Sequence, residues 1–115
     1  MTAPTIDRAT FDALKETTGA EFALELVDTF LGEAPSILDE LRHALAAKDA
    51  DKFRRAAHSL KSNSNTFGAL ALGAMARELE LAGLSQALEG DSKPLDALAE
   101  EYSRVAATLT ELRHA

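Results

Sequence analysis

Apolar residues recur three and four positions apart along most of the chain, the period of helices that bury one face. Residues 7–17 open the pattern, with Phe11 and Leu14 on one side. Asp7 stands at an N-cap position, and Ile6 and Phe11 occupy the two places of a hydrophobic staple. Gly19 follows where a C-terminal glycine ends a helix. From Ala20 to Ala47, residues Phe22, Ala23, Leu26, Phe30, Ala34, Ile37, Leu41 and Leu45 form one stripe. Pro35 falls inside it, where a proline removes one backbone bond and crowds the carbonyl of Leu31. The pattern predicts one kinked helix, with two separate helices as the alternative.

A third helix is expected after Asp49 or Asp51, either of which suits an N-cap. It carries Phe53, Ala56, Ala57, Leu60, Ser64 and Phe67 on its inward side. Its second half runs through Ser62, Asn63, Ser64, Asn65 and Thr66, whose side chains compete for backbone hydrogen bonds. The register of Leu60, Ser64 and Phe67 with Phe53 still carries the helix through Ser62, to an end between Asn65 and Phe67. A fourth helix begins near Gly68 or Ala69 and reaches about Gly83, with Leu72, Met75, Ala76 and Leu79 inward. Residues 83–92 read as a looser connection. The last helix begins at Pro94, a residue tolerated in a first turn. Leu95, Leu98, Tyr102, Val105, Leu109 and Leu112 then make a seam suited to bundle packing. The expected fold is all-α: an antiparallel up-and-down four-helix bundle in a single domain, residues 1–115, with the short first helix across one end.

Composition narrows the function. The chain has 115 residues, a net charge of −7 and no cysteine. Disulfides and thiolate metal sites are excluded. The acidic balance argues against nucleic acid and anionic membranes as main partners. No stretch approaches the length a membrane helix needs, and no basic start followed by an apolar run marks a leader. A cytoplasmic protein is expected. The starting Met favours a free-standing chain over a domain of a hybrid kinase.

Chemistry concentrates around His58. At about 100° per residue, His58 lies on the side of the third helix opposite Phe53 and Leu60. Arg54 and Arg55 are one turn back, Lys61 and Ser62 one turn ahead, and Asn65 shares its azimuth. The nearest carboxylate within the helix is Asp51, two turns away. Cations around an imidazole favour its neutral form, which is nucleophilic near pH 7, and they welcome an anion that the ring acquires. A phosphoryl group is such an anion, and Lys61 is a point-charge partner for it. Ser62 is small enough to leave the ring accessible. Equally, a surface histidine among arginines and lysines describes an ordinary solvated helix face.

The run Ala57, His58, Leu60, Lys61, Ser62, Ser64, Gly68 and Ala69, continued by Leu72 and closed by Leu79 and Glu80, resembles the signature of histidine-containing phosphotransfer (HPt) domains of two-component phosphorelays. Phe30, Leu31, Pro35 and Asp49 add to the likeness, which spans about residues 6 to 112. Ser62 stands where the family most often has glycine. The resemblance implies that His58 is the phosphoacceptor. It would take a phosphoryl group from a receiver-domain aspartate, or from a sensor histidine kinase, and pass it to another receiver. Lys61 would hold phosphoryl oxygens, with Arg54, Arg55, Ser62 and Asn65 around them. No cofactor is implied; the divalent metal would belong to the receiver. The protein would be a monomeric phosphocarrier without kinase activity of its own. Receivers dock on an apolar patch beside the histidine, for which Leu24 and Leu31 are candidates; packing on the first helix is their alternative. Phe11 and Leu14 carry the same choice.

Other titratable groups read as surface residues. His43 projects beside Asp39 and Glu40, and His114 lies in the terminus. Glu78, Glu80 and Glu89 fit a solvated face. No two histidines are spaced i, i+4, so a helical zinc site has no support. Two rival readings stand beside the carrier. One is the phosphoacceptor part of a larger hybrid or chemotaxis-type kinase. The other is a helical interaction module that binds receivers without being phosphorylated.

Overall fold

A computed structural model describes residues 5–89 and 93–114. It contains α1 (Arg8–Thr18), α2 (Ala20–Ala47), α3 (Ala50–Thr66), α4 (Leu70–Glu89) and α5 (Lys93–His114). No strand occurs among the described residues. No described helix is long and apolar enough to cross a membrane.

The caps follow side-chain chemistry. The Thr10 amide donates to the Asp7 carboxylate at 3.1 Å, and Ile6 and Phe11 are both buried beneath that turn. Asp49, not Asp51, caps α3: its carboxylate accepts the Lys52 amide at 3.1 Å. The Ser-Asn run stays helical to Thr66 and closes in a Schellman turn. There the Ala69 amide donates to the Ser64 carbonyl at 2.9 Å, and the Gly68 amide to the Asn65 carbonyl at 3.1 Å. Gly68 supplies the left-handed conformation, with φ +83°, and its carbonyl accepts the Asp7 amide at 2.8 Å. That bond ties the start of α1 to the α3–α4 turn.

α2 is a single helix through Pro35. Proline has no N–H to offer the Leu31 carbonyl, and the Tyr102 hydroxyl of α5 approaches that oxygen at 3.5 Å instead. The expected end of α4 at Gly83 is a break inside it: Gly83 has φ +77°, and a further helical piece runs on to Glu89 where a looser connection was expected.

Cross-helix contacts set the directions. Asp28 pairs with Arg113 and Arg42 approaches Asp96, so α2 and α5 run antiparallel. Phe30 meets Phe67 with ring centroids 5.2 Å apart, and Glu40 lines one groove with Lys52 and Arg55, so α2 and α3 are also antiparallel. α4 packs along α3 and α5, closing the four-helix bundle. Phe11, Val27, Phe30, Leu41, Phe53, Leu60, Leu72, Leu98, Val105 and Leu109 fill its core. Phe22 departs from the expected α2 stripe: it is half-exposed, and Val27 takes the buried place. Ser64 is fully buried, and its hydroxyl has no partner among the described residues.

Candidate functional site

The site is built where α3 and α4 run side by side. Two contacts fix their antiparallel register. His58 and Lys61 of α3 meet Glu80 of α4, while Asn65 of α3 meets Gly73 of α4. A Cβ at position 73 would collide with the Asn65 side-chain amide, so the glycine makes the notch that admits it.

Glu80 bridges two groups. Its Oε1 accepts from the Lys61 ammonium at 2.8 Å, and its Oε2 lies 2.7 Å from Nδ1 of His58. The Glu80 side chain is only 16% exposed, whereas that of His58 is 59% exposed. The hydrogen bond from Lys61 pulls the Glu80 carboxyl below its ordinary range; partial burial opposes this, and His58 adds to it. Glu80 is therefore an anion near neutral pH and only accepts hydrogen bonds. Nδ1 of His58 must then carry the proton. In the neutral ring this leaves the lone pair on Nε2, and the ring itself faces solvent.

This geometry corrects the expected electrostatics. Glu80, read from sequence as part of a solvated face, is the carboxylate nearest His58. Asp51 instead holds both arginines, Arg54 at 2.9 Å and Arg55 at 3.2 Å. The three expected cations are thus each already paired, Lys61 with Glu80 and the arginines with Asp51. Glu80 was missed because the helix wheel of α3 says nothing about α4. Its place at the close of the signature, directly after buried Leu79, was the signal available.

The remaining candidates divide. Ser62 is exposed beside His58, its carbonyl accepting the Thr66 hydroxyl at 3.0 Å. Asn65 is exposed but engaged at the Gly73 notch. Leu31 is half-buried against the core on the α5 side of α2, near Tyr102, and Leu24 two turns earlier shares its side. The structure does not bring these two to His58: the side of α2 that meets α3 carries Leu26, Thr29, Phe30 and Glu33. Phe11 is buried and Leu14 packs against the core. His43 is exposed, and Glu78 too. The side chains of Glu89 and His114 lie outside the described residues. No group of metal-ligating side chains occurs among the described residues.

An exposed imidazole on the third helix of a four-helix bundle is the arrangement that the sequence signature implied, and the structure adds the carboxylate that orients it. The Hpt domain family model matches residues 25–108. The chain belongs to the Hpt domain family. Its function is histidine phosphotransfer in a phosphorelay. Among solved structures, it is similar to histidine-containing phosphotransfer protein B (HptB) from Pseudomonas aeruginosa PAO1. That pair shares 29% identity over 98% of this chain and 97% of that one, with a TM-score of 0.88. The HPT domain of the Hpt sensor hybrid histidine kinase from Shewanella has the same fold, with 19% identity, a TM-score of 0.74, and coverage of 94% of this chain and 92% of that one. No curated protein matches the chain at a significant level. As an Hpt domain, the chain is of a phosphocarrier family whose members work with receiver domains and histidine kinases.

Proposed function

We propose that His58 is the phosphoacceptor and that Nε2 is the atom that carries the phosphoryl group. The supporting observation is the contact of Nδ1 with Glu80 beside an exposed ring. Nε2 attacks the phosphorus of a receiver's aspartyl phosphate; the N–P bond forms as the acyl P–O bond breaks, and the receiver's carboxylate leaves. The ring keeps its proton on Nδ1 and gains positive charge as the bond forms. The Glu80 carboxylate, already in place, stabilises that charge without reorganising. Reversal of the same step passes the group to the next receiver.

Lys61 serves the phosphoryl oxygens while remaining within reach of Glu80. Ser62, in the usual glycine position, keeps the approach to Nε2 open. The metal that such a transfer needs is supplied by the receiver, and no cofactor is held by this chain. The protein is a monomeric cytoplasmic carrier with no kinase activity of its own. Receivers dock across α3 and the adjoining groove lined by Leu26, Phe30, Thr66 and Phe67, with exposed Phe22 at its end, in place of Leu24 and Leu31.

Incubation with a phosphorylated receiver tests the assignment. The expected result is acid-labile, alkali-stable label that disappears in His58→Ala. Label that persists in His58→Ala contradicts it.

A further inference from the structure

The ridge of α4 that faces α3 carries Gly73, Arg77 and Glu80, at spacings of four and three, so the three side chains share one side of the helix. Gly73 receives Asn65, and Glu80 receives His58 and Lys61. Arg77 therefore sits between two points of contact with α3, about 4.5 Å along the axis from Glu80, and level with Lys61 and Ser62. Its side chain is exposed, and no ion pair holds it among the described residues. The other cations of this face are committed: Arg54 and Arg55 to Asp51, Lys61 to Glu80. Glu80, three residues on, has one oxygen on Lys61 and the other on His58.

A phosphoryl group on Nε2 brings up to two negative charges next to the Glu80 carboxylate. Lys61 alone, shared with Glu80, neutralises them poorly. A guanidinium presents a planar fork of donors matched to phosphoryl oxygens, on a side chain long enough to span one helical turn. We propose that Arg77 is a phosphoryl-binding residue of this site, closing over the group on His58 from the α4 side and sharing its charge with Lys61. The inference rests on the assignment of His58 as phosphoacceptor.

Potassium phosphoramidate, a small phosphoryl donor, loads the full chain without a partner: Nε2–P forms, P–N breaks and ammonia leaves. The ³¹P signal of His58 is assigned by its absence in His58→Ala. Its chemical shift is then titrated with pH. A cation beside the phosphoryl group favours its dianion and lowers the titration midpoint. Arg77→Ala is expected to raise the midpoint by about half a pH unit, with the unfolding temperature unchanged, and Arg77→Lys to restore part of the shift. A midpoint unchanged in Arg77→Ala overturns the inference and leaves the phosphoacceptor assignment standing. A wild-type spectrum without any His58 signal overturns that assignment and this inference with it.

Discussion

Nδ1 of His58 lies 2.7 Å from Oε2 of Glu80, a residue 22 positions later on the next helix. This one contact decides which ring nitrogen is free. It makes Glu80 a positioning residue: it acts on the phosphoryl group through the imidazole. Replacing it separates orientation from the presence of the nucleophile. Glu80→Gln keeps a carbonyl oxygen for one of the two donors but loses the charge that holds both. Glu80→Ala loses both contacts. Phosphoryl acceptance is expected to fall about ten- to hundredfold, as when imidazoles lose an orienting carboxylate elsewhere, more in the alanine variant. Ring ¹⁵N shifts provide the readout that distinguishes orientation from folding. The wild-type neutral ring should be the Nδ1–H tautomer, and the alanine variant a mixture. A pure Nε2–H tautomer in the wild type contradicts this role.

The same carboxylate sets a pH dependence. Its pKa is lowered from the ordinary 4.5, so folding binds fewer protons to it than the unfolded chain does. The stability it contributes is present above about pH 4.5 and is lost as the pH falls through its lower folded value. The difference in unfolding free energy between wild type and Glu80→Gln should shrink as the pH falls below about 4.5. A difference that keeps growing as the pH falls below about 4.5 has the opposite sign and contradicts a carboxylate stabilised as its anion.

Ser64 is fully buried with an unpartnered hydroxyl. Removing that group relieves a desolvation cost and leaves a space no larger than one oxygen. Ser64→Ala should be stabilising by about 1 kcal/mol in chemical denaturation. A loss of similar size would mean the hydroxyl has a partner in solution.

Gly68 links α1 to the helix pair that bears the site, since its turn holds α3 against α4 and its carbonyl holds Asp7. A Cβ there would stand 2.6 Å from the Asp7 carbonyl oxygen, on a backbone with φ +83°. Gly68→Ala should cost about 2 kcal/mol or more, because strain and collision add. Thermal unfolding measures it, and an unchanged midpoint would show that the turn does not require glycine.

The bundle was legible in the sequence because burying one side of each helix writes the same spacing on every element. Phe53, Ala56, Leu60, Ser64 and Phe67 are all inside, as their register requires. Phe22 broke the rule for a physical reason: the buried line of α2 runs through Ala23, Val27, Phe30 and Ala34, and Phe22, about 100° round the helix from Ala23, falls at its edge. His58 and Lys61 were legible from the α3 wheel and its signature. The contact of Glu80 with His58, the place of Arg77 and the seating of Asn65 at Gly73 were not, since they depend on the α3–α4 register, although Glu80 closed the signature. Nor did spacing show that Asp51 occupies both arginines, or that Leu31 turns toward α5.

The most direct test of the account is the site of attachment in the phosphorylated protein. After transfer from a phosphorylated receiver, ring ¹⁵N and ³¹P NMR should show one phosphohistidine, at His58, with phosphorus bonded to Nε2 and the proton on Nδ1. Phosphorus on Nδ1, or on His43 in place of His58, would contradict it.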